Sequence, residues 1–290
     1  MTSLRPYVEV TKPKLVSLLV FTAFVGMFVG ARWASVSLSL GEWMLGLAAI
    51  TLGCAGSNAV TCFIDRDIDF LMERTRKRPL PSGRIEPARN ALYLGAGLIV
   101  ASLLLALLRN LLSPVVIGLG VLDNVVVYSL LTKRRSPWNI ILGSFSGGLP
   151  AVYGWAFATG SVGLVPILMA ALVVLWTPNH IWSLALRYRE DYARAGVPML
   201  PVVLEERKAI RCIACTSLLL VGFSVALDSL GAFGDAYLWT AAVLGGALIV
   251  LNAWLLVRPT AQHAWVVFKF SSPYLAVVFL FMVLGPYLPH

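Results

Sequence analysis

Of the 290 residues, 59% are hydrophobic and only 13% are charged, and the mean hydropathy is +0.82. No soluble domain of this length can hide so much apolar surface, so the composition excludes a soluble chain and indicates an all-α, polytopic integral membrane protein. The net charge of +9 does not signal nucleic-acid affinity, because the basic residues sit in the gaps between hydrophobic runs.

Nine hydrophobic segments come close to the ~20 residues that a bilayer requires. They predict spans near 15–31, 43–64, 91–108, 113–131, 140–159, 162–186, 210–230, 237–257 and 265–287, in one domain covering residues 1–290. Basic residues before the first span (Arg5, Lys12, Lys14) mimic a signal peptide, but eight further segments favour a retained helix. Every Lys and Arg except Arg32 and Arg109 lies in the N-terminal tail, in the gaps after spans 2, 4, 6 and 8, or at their edges. The positive-inside rule then predicts a multi-pass cell-membrane protein with a cytoplasmic N-terminus.

The gap after span 2 is the densest in chemistry: Asn58 to Gly83 reads NAVTCFIDRDIDFLMERTRKRPLPSG. Asp65 and Asp69 are four apart, so on a helix both carboxylates leave one face, whereas Asp67 lies roughly 200° from Asp65. Two oxygen ligands one turn apart, with no Cys or His beside them, suit a hard ion such as Mg²⁺, which fills its remaining shell with water and phosphate oxygens. Arg66 and the run Arg74, Arg76, Lys77, Arg78 and Arg84 are placed to hold such a phosphate.

Within span 4, Asp123 and Asn124 occupy positions where a charge is expensive, so Asp123 needs either a neutral form or a partner. The gap that follows contains Tyr128, Lys133, Arg134, Ser136, Trp138 and Asn139, and Lys133 and Arg134 are candidates for anionic ligands. Gly143, Gly147, Gly148, Pro150 and Gly154 thin span 5 for close helix packing or for a broad ligand, with close packing the cheaper explanation. After span 6 comes WTPNHIWSLALRYREDYARAGVPMLPVV, in which His180, Trp182, Arg187 and Asp191 are candidates for one polar seam at the cytoplasmic mouth. An intramembrane His costs free energy unless it is paired or functional. Cys212-x-x-Cys215 has no second ligand pair nearby and reads as helix packing.

A DxxxD at a membrane helix end, followed by MERTRKRPLPSG, resembles the first signature of the UbiA family of intramembrane prenyltransferases, and the form DRDIDFLMERTRKRPLP resembles its heme-O-synthase branch. The Trp-x-Pro-x-His-x-Trp segment, the acid-Asp-Tyr that follows, AGVPMLP, and the Tyr…Lys-Arg-x-x-x-Asn stretch also resemble that branch; together these matches cover roughly residues 53–203. Two departures stand out. Thr61 replaces the Asn usual four residues before the first aspartate, with Asn58 a turn earlier as its substitute, and Arg187 stands where many relatives begin a second DxxxD.

The resemblance implies nine helices around a central cavity open to the cytoplasm and laterally to lipid. It further implies Mg²⁺ on Asp65 and Asp69, catalytic roles for Asp191 and His180, and the latter at the acceptor. Substrate contacts are expected from Asn58, Arg66, Arg74, Arg78, Tyr128, Lys133, Arg134, Asn139, Trp182 and Arg187. The implied substrates are farnesyl diphosphate and heme B, giving heme O and diphosphate, with heme-handling or terminal-oxidase assembly proteins as possible partners and no nucleic acid. Competing readings are a UbiA enzyme with another aromatic or lipid acceptor, an anion transporter, and a heme-binding membrane chaperone. Transport is disfavoured because the carboxylates and cations lie in a mouth loop rather than at the midplane.

Overall fold

A computed structural model describes residues 4–288. Among them are nine helices long and apolar enough to cross a membrane: α1 Pro13–Trp33, α2 Leu40–Ile64, α3 Arg89–Leu107, α4 Leu112–Thr132, α5 Asn139–Thr159, α6 Leu164–Arg187, α7 Glu206–Leu230, α8 Asp235–Val257 and α9 Ala261–Tyr287. All nine expected spans are present, and the differences are at the ends. Helix α2 starts early because Ser39 and Glu42 form a capping box that holds a polar first turn. Helix α7 starts early because the charged stretch Glu206–Arg207–Lys208 is already helical. Four short helices lie between spans or before them: Arg5–Val10, Arg66–Leu71, Arg189–Arg194 and Leu200–Val203.

Helix α1 packs on α5 and α2, α2 on α3, and α5 on α4 and α6; α6 then packs on α7 and α9, and α8 on α7 and α9. Contact between α9 and α1 closes the circuit. Residues of α1, α2, α4, α5, α6 and α9 face a central cavity of about 780 Å³, and α3, α7 and α8 stand outside it. Exposed Leu104, Leu107, Trp239, Val243 and Val250 on those outer helices form part of the lipid-facing surface.

No hydrophobic force drives helices together within lipid, so the contacts depend on backbones that approach closely. A Cβ on Gly154 would lie 2.0 Å from the Ala23 carbonyl oxygen, and one on Gly26 would lie 2.2 Å from that of Ala151. Gly148 meets the α6 backbone at Ala170 in the same way. Gly147 instead borders the cavity. Gly143 borders it too, so the glycines of span 5 divide between packing helices and lining the cavity.

Two irregularities have local causes. Helix α4 runs as a π-helix over Leu122–Thr132, and α5 is broken between Leu142 and Phe145. The break exposes helix N–H groups, and the Asp123 carboxylate accepts one of them, from Ser146, at 2.7 Å. That is the partner Asp123 needs at its depth.

Gly154→Ala forces α1 and α5 apart and is expected to cost about 1–3 kcal/mol, while Gly97→Ala, with nothing within 4 Å of its added carbon, is expected to be neutral or slightly stabilising. Thermal unfolding of both variants in the same detergent checks the contrast; equal behaviour would dismiss the glycine contact as a determinant of the α1–α5 packing.

Candidate active site

Helix α2 ends at Ile64, Asp65 forms a joint, and the short helix Arg66–Leu71 continues beyond it. The Asp69 N–H still donates to the Asp65 carbonyl at 2.9 Å, so the helical register survives the joint. Both carboxylates consequently reach the cavity, at 5% and 4% exposure. Asp67 faces away and takes two 2.7 Å hydrogen bonds from the Arg134 guanidinium. Those bonds hold its carboxyl below the usual carboxylate range.

Buried charges need partners. Asp65 Oδ2 accepts from Lys133 Nζ at 2.5 Å, and Asp69 accepts from Arg78 Nη1 at 3.0 and 2.8 Å. Asp65 Oδ1 is buried with no hydrogen-bond partner. Burial works to strip the Lys133 proton, but Tyr128 and the Asp65 and Asp69 carboxylates outweigh it and keep the ammonium charged above its ordinary range. Arg78 is held above its ordinary value in the same way, Asp69 offsetting burial. The Asn139 side chain, fully buried, donates to the Lys133 carbonyl at 3.4 Å and braces the turn that carries this lysine.

Arg74 enters the cavity beside them, donating to the Tyr192 hydroxyl at 3.3 Å and lying 5.6 and 5.9 Å from the Tyr188 and Tyr192 ring centres. Asn58 and Thr61 also line the wall, Asn58 donating to the Cys54 carbonyl at 3.0 Å.

Deeper in the same cavity, His180 is stacked between Trp176 and Phe268, each with ring centres 4.3 Å from its own. Its Nδ1 lies 2.7 Å from Ser271 Oγ, and that hydroxyl spends its only hydrogen on the Phe268 carbonyl at 2.8 Å. With the hydroxyl hydrogen on that carbonyl, Ser271 accepts from Nδ1–H and Nε2 keeps its lone pair.

Several candidates lie elsewhere. Trp182, two residues past His180 and so on the far side of α6, is 2% exposed and packs in the core. Asp191 is buried but does not border the cavity; it accepts backbone N–H groups of Glu73 and Arg74. Arg66 folds over its own helix end, onto the Phe63 carbonyl and ring. Arg134 is occupied by Asp67, and Arg187 is exposed off the cavity. The seam expected from His180, Trp182, Arg187 and Asp191 is thus divided: only His180 borders the cavity.

Sequence reasoning passed over Lys12 and Lys14, which line the cavity mouth and among the described residues have no side-chain ion pair. The Lys-Pro-Lys that opens α1 was their only signal, and it reads equally as a positive-inside anchor. It also gave no site role to Phe268, to Trp176 and Tyr192, which it met only as letters of the matched motifs, or to Asn124 and Ser57, joined at 2.8 Å. A single aromatic residue in a hydrophobic helix carries no sequence mark that separates a cavity wall from a core.

The model of the UbiA prenyltransferase family matches residues 19–283. The chain is 53% identical to the protoheme IX farnesyltransferase of Desulforudis audaxviator, over 98% of this chain and 89% of that protein. It is 41% identical to the protoheme IX farnesyltransferase of Thermoplasma volcanium, over 98% of each. Among solved structures it resembles digeranylgeranylglyceryl phosphate synthase, with a TM-score of 0.78 at 21% identity over 98% of this chain and 99% of the other. A UbiA homologue from Archaeoglobus fulgidus bound to GPP and Mg²⁺ gives 0.65 at 17% identity, over 96% of this chain and 99% of the other. At that identity the structural likeness shows the shared fold.

Adjacent cations in one turn should behave oppositely. Lys133→Ala leaves the buried Asp65 carboxylate without its partner and is expected to cost about 3 kcal/mol of stability when measured without divalent cations. Arg134→Ala breaks an exposed pair and is expected to cost less than about 1 kcal/mol. Denaturant unfolding in detergent reads both; a Lys133 variant as stable as the Arg134 variant contradicts the assignment of the buried pair.

Proposed function

The chain belongs to the UbiA prenyltransferase family, and on that premise we propose that it alkylates heme B with farnesyl diphosphate, giving heme O and diphosphate. One observation carries this reading: a carboxylate pair surrounded by cations and an aromatic-clamped histidine with an available lone pair face the same, largely apolar cavity. A diphosphate fits the first end and a planar metalloporphyrin the second.

The carboxylates fit a magnesium ion. They lie one turn apart on the cavity, Asp65 Oδ1 has no partner, and no third Asp, Glu, His or Cys joins them in a cluster among the described residues. Such a partial set of hard oxygens matches an ion that keeps water and phosphate oxygens in its shell. Bound there, it would neutralise charge on the diphosphate as it leaves. Arg78, Lys133 and Arg74 add positive charge where negative charge develops. The carbon–oxygen bond of the allylic diphosphate breaks, and the heme vinyl group supplies the electron pair for a new carbon–carbon bond. Water then adds to the second cation and releases a proton. Apolar and aromatic walls, among them Leu18, Phe21, Ile117 and Phe279, keep water away from the first cation. His180 presents Nε2 to the acceptor, where a neutral imidazole suits heme iron.

The basic end of the molecule is cytoplasmic in this reading. Reporter domains fused after Gly83 and after Glu206 are expected to report the cytoplasm; either one on the outer face reverses the orientation.

The division of the cavity is tested on purified variants by two measurements, heme O by chromatography and binding of farnesyl diphosphate. Asp65→Asn and Asp69→Asn are expected to lower turnover by about a hundredfold or more and to weaken diphosphate binding, while Asp67→Asn changes little. His180→Ala is expected to lose heme O formation yet still bind farnesyl diphosphate. Equal, mild losses at the three aspartates reduce the motif to an interfacial charge cluster, and normal heme O from the His180 variant makes that residue structural.

A further inference from the structure

We propose that Asp191, expected from sequence as a catalytic residue, is a positioning residue that latches the loop after α2 and aims Arg74 into the cavity. The inference rests on the diphosphate assignment made above for that end of the cavity.

The loop leaves the helix Arg66–Leu71 at Met72, whose backbone is extended, and then turns. In that turn the Met72 carbonyl accepts from Thr75 at 3.1 Å and from Arg76 at 2.9 Å. The two N–H groups before them, of Glu73 and Arg74, point out of the turn like the leading donors of a helix. Asp191 supplies both acceptors, Oδ1 to Glu73 at 3.3 Å and Oδ2 to Arg74 at 3.2 Å, from a position 117 residues further along the chain. This is the work of a helix N-cap carried out by a distant side chain.

The same short helix grips the other end of Arg74. Tyr192, next to Asp191, takes a hydrogen bond from the guanidinium, and the Tyr188 and Tyr192 rings lie beside it. Arg74 is therefore held at both backbone and head by residues 188–192. Arg194, 3.6 Å from the Asp191 carboxylate, is the cation that balances it. On the other side of the turn, Thr75 Oγ1 donates to the Asp69 carbonyl at 2.9 Å, and Arg78 pairs with the Asp69 side chain. The loop is thus pinned between Asp69 and Asp191. Only Asp69 faces the cavity.

A latch and a group that touches substrate differ in how their losses combine. If Asp191 acts through Arg74, removing it matters only while Arg74 is present. The test is a double-mutant cycle read as affinity for labelled farnesyl diphosphate, using Asp191→Asn, Arg74→Ala and the pair. Each single variant is expected to bind about tenfold or more weakly, and the double variant to bind no more weakly than Arg74→Ala. In turnover, Asp191→Asn is expected to raise KM for farnesyl diphosphate while leaving kcat within a few-fold. A second cycle with Tyr192→Phe in place of the aspartate variant asks the same question of a chain that keeps the latch carboxylate, and serves if Asp191→Asn does not purify folded. Additive losses, or a fall in kcat that persists in the Arg74→Ala background, overturn the latch. Because affinity is read directly, a chain that binds the diphosphate and makes no heme O sinks the heme assignment and leaves the latch standing.

Discussion

Charge inside an apolar enclosure must be paired, and this constraint accounts for the arrangement at the charged end of the bundle. Asp65 and Asp69 sit almost without solvent at the head of the cavity. An unpaired carboxylate at such a position is strongly destabilising, whereas a paired one is tolerated. Lys133, from the end of α4, and Arg78, from the loop after α2, meet that demand. Because these partners come from separate elements, satisfying the two carboxylates also ties α2, α4 and the basic loop into one cluster. Positive charge is consequently already gathered at the head of the cavity.

The pairing depends in turn on helix packing that leaves room for it. Gly26 and Gly154 bring α1 and α5 into backbone contact, and Gly148 does the same for α5 and α6. These approaches fix the inner helices where they touch, and the cavity opens beside the broken start of α5, where Ile140, Gly143, Ser144, Ser146 and Gly147 line it. Three polar side chains inside the spans are paired across the bundle. Asp123 caps the restarted α5, Asn124 meets Ser57, and Asn179 meets Ser217 and Asn252. Each has a partner on another part of the chain.

The two charged gaps, after α2 and after α6, form a single structure. Asp191 and Tyr192 hold Arg74 from the second gap, while the loop of the first carries Arg74 and Arg78 to the cavity. His180 belongs to α6 itself and borders the same cavity, braced by α9 through Ser271 and Phe268.

Hydropathy alone determined the nine spans, because a bilayer imposes one length and one polarity on anything that crosses it. The four-residue spacing of Asp65 and Asp69 likewise determined that they share a face and that Asp67 does not, since both follow from the helical period. Which cations would meet those carboxylates was not legible. Lys133 and Arg134 are neighbours of the same charge, yet one pairs with buried Asp65 and the other with exposed Asp67. Trp182 and His180 share a motif but lie on opposite sides of α6, and the hydroxyl that meets His180 Nδ1, on Ser271, is 91 residues away. Local spacing fixes which way a side chain leaves its own helix. What stands opposite it is decided by the packing of other helices, through close backbone contacts and buried pairings that have no local sequence period.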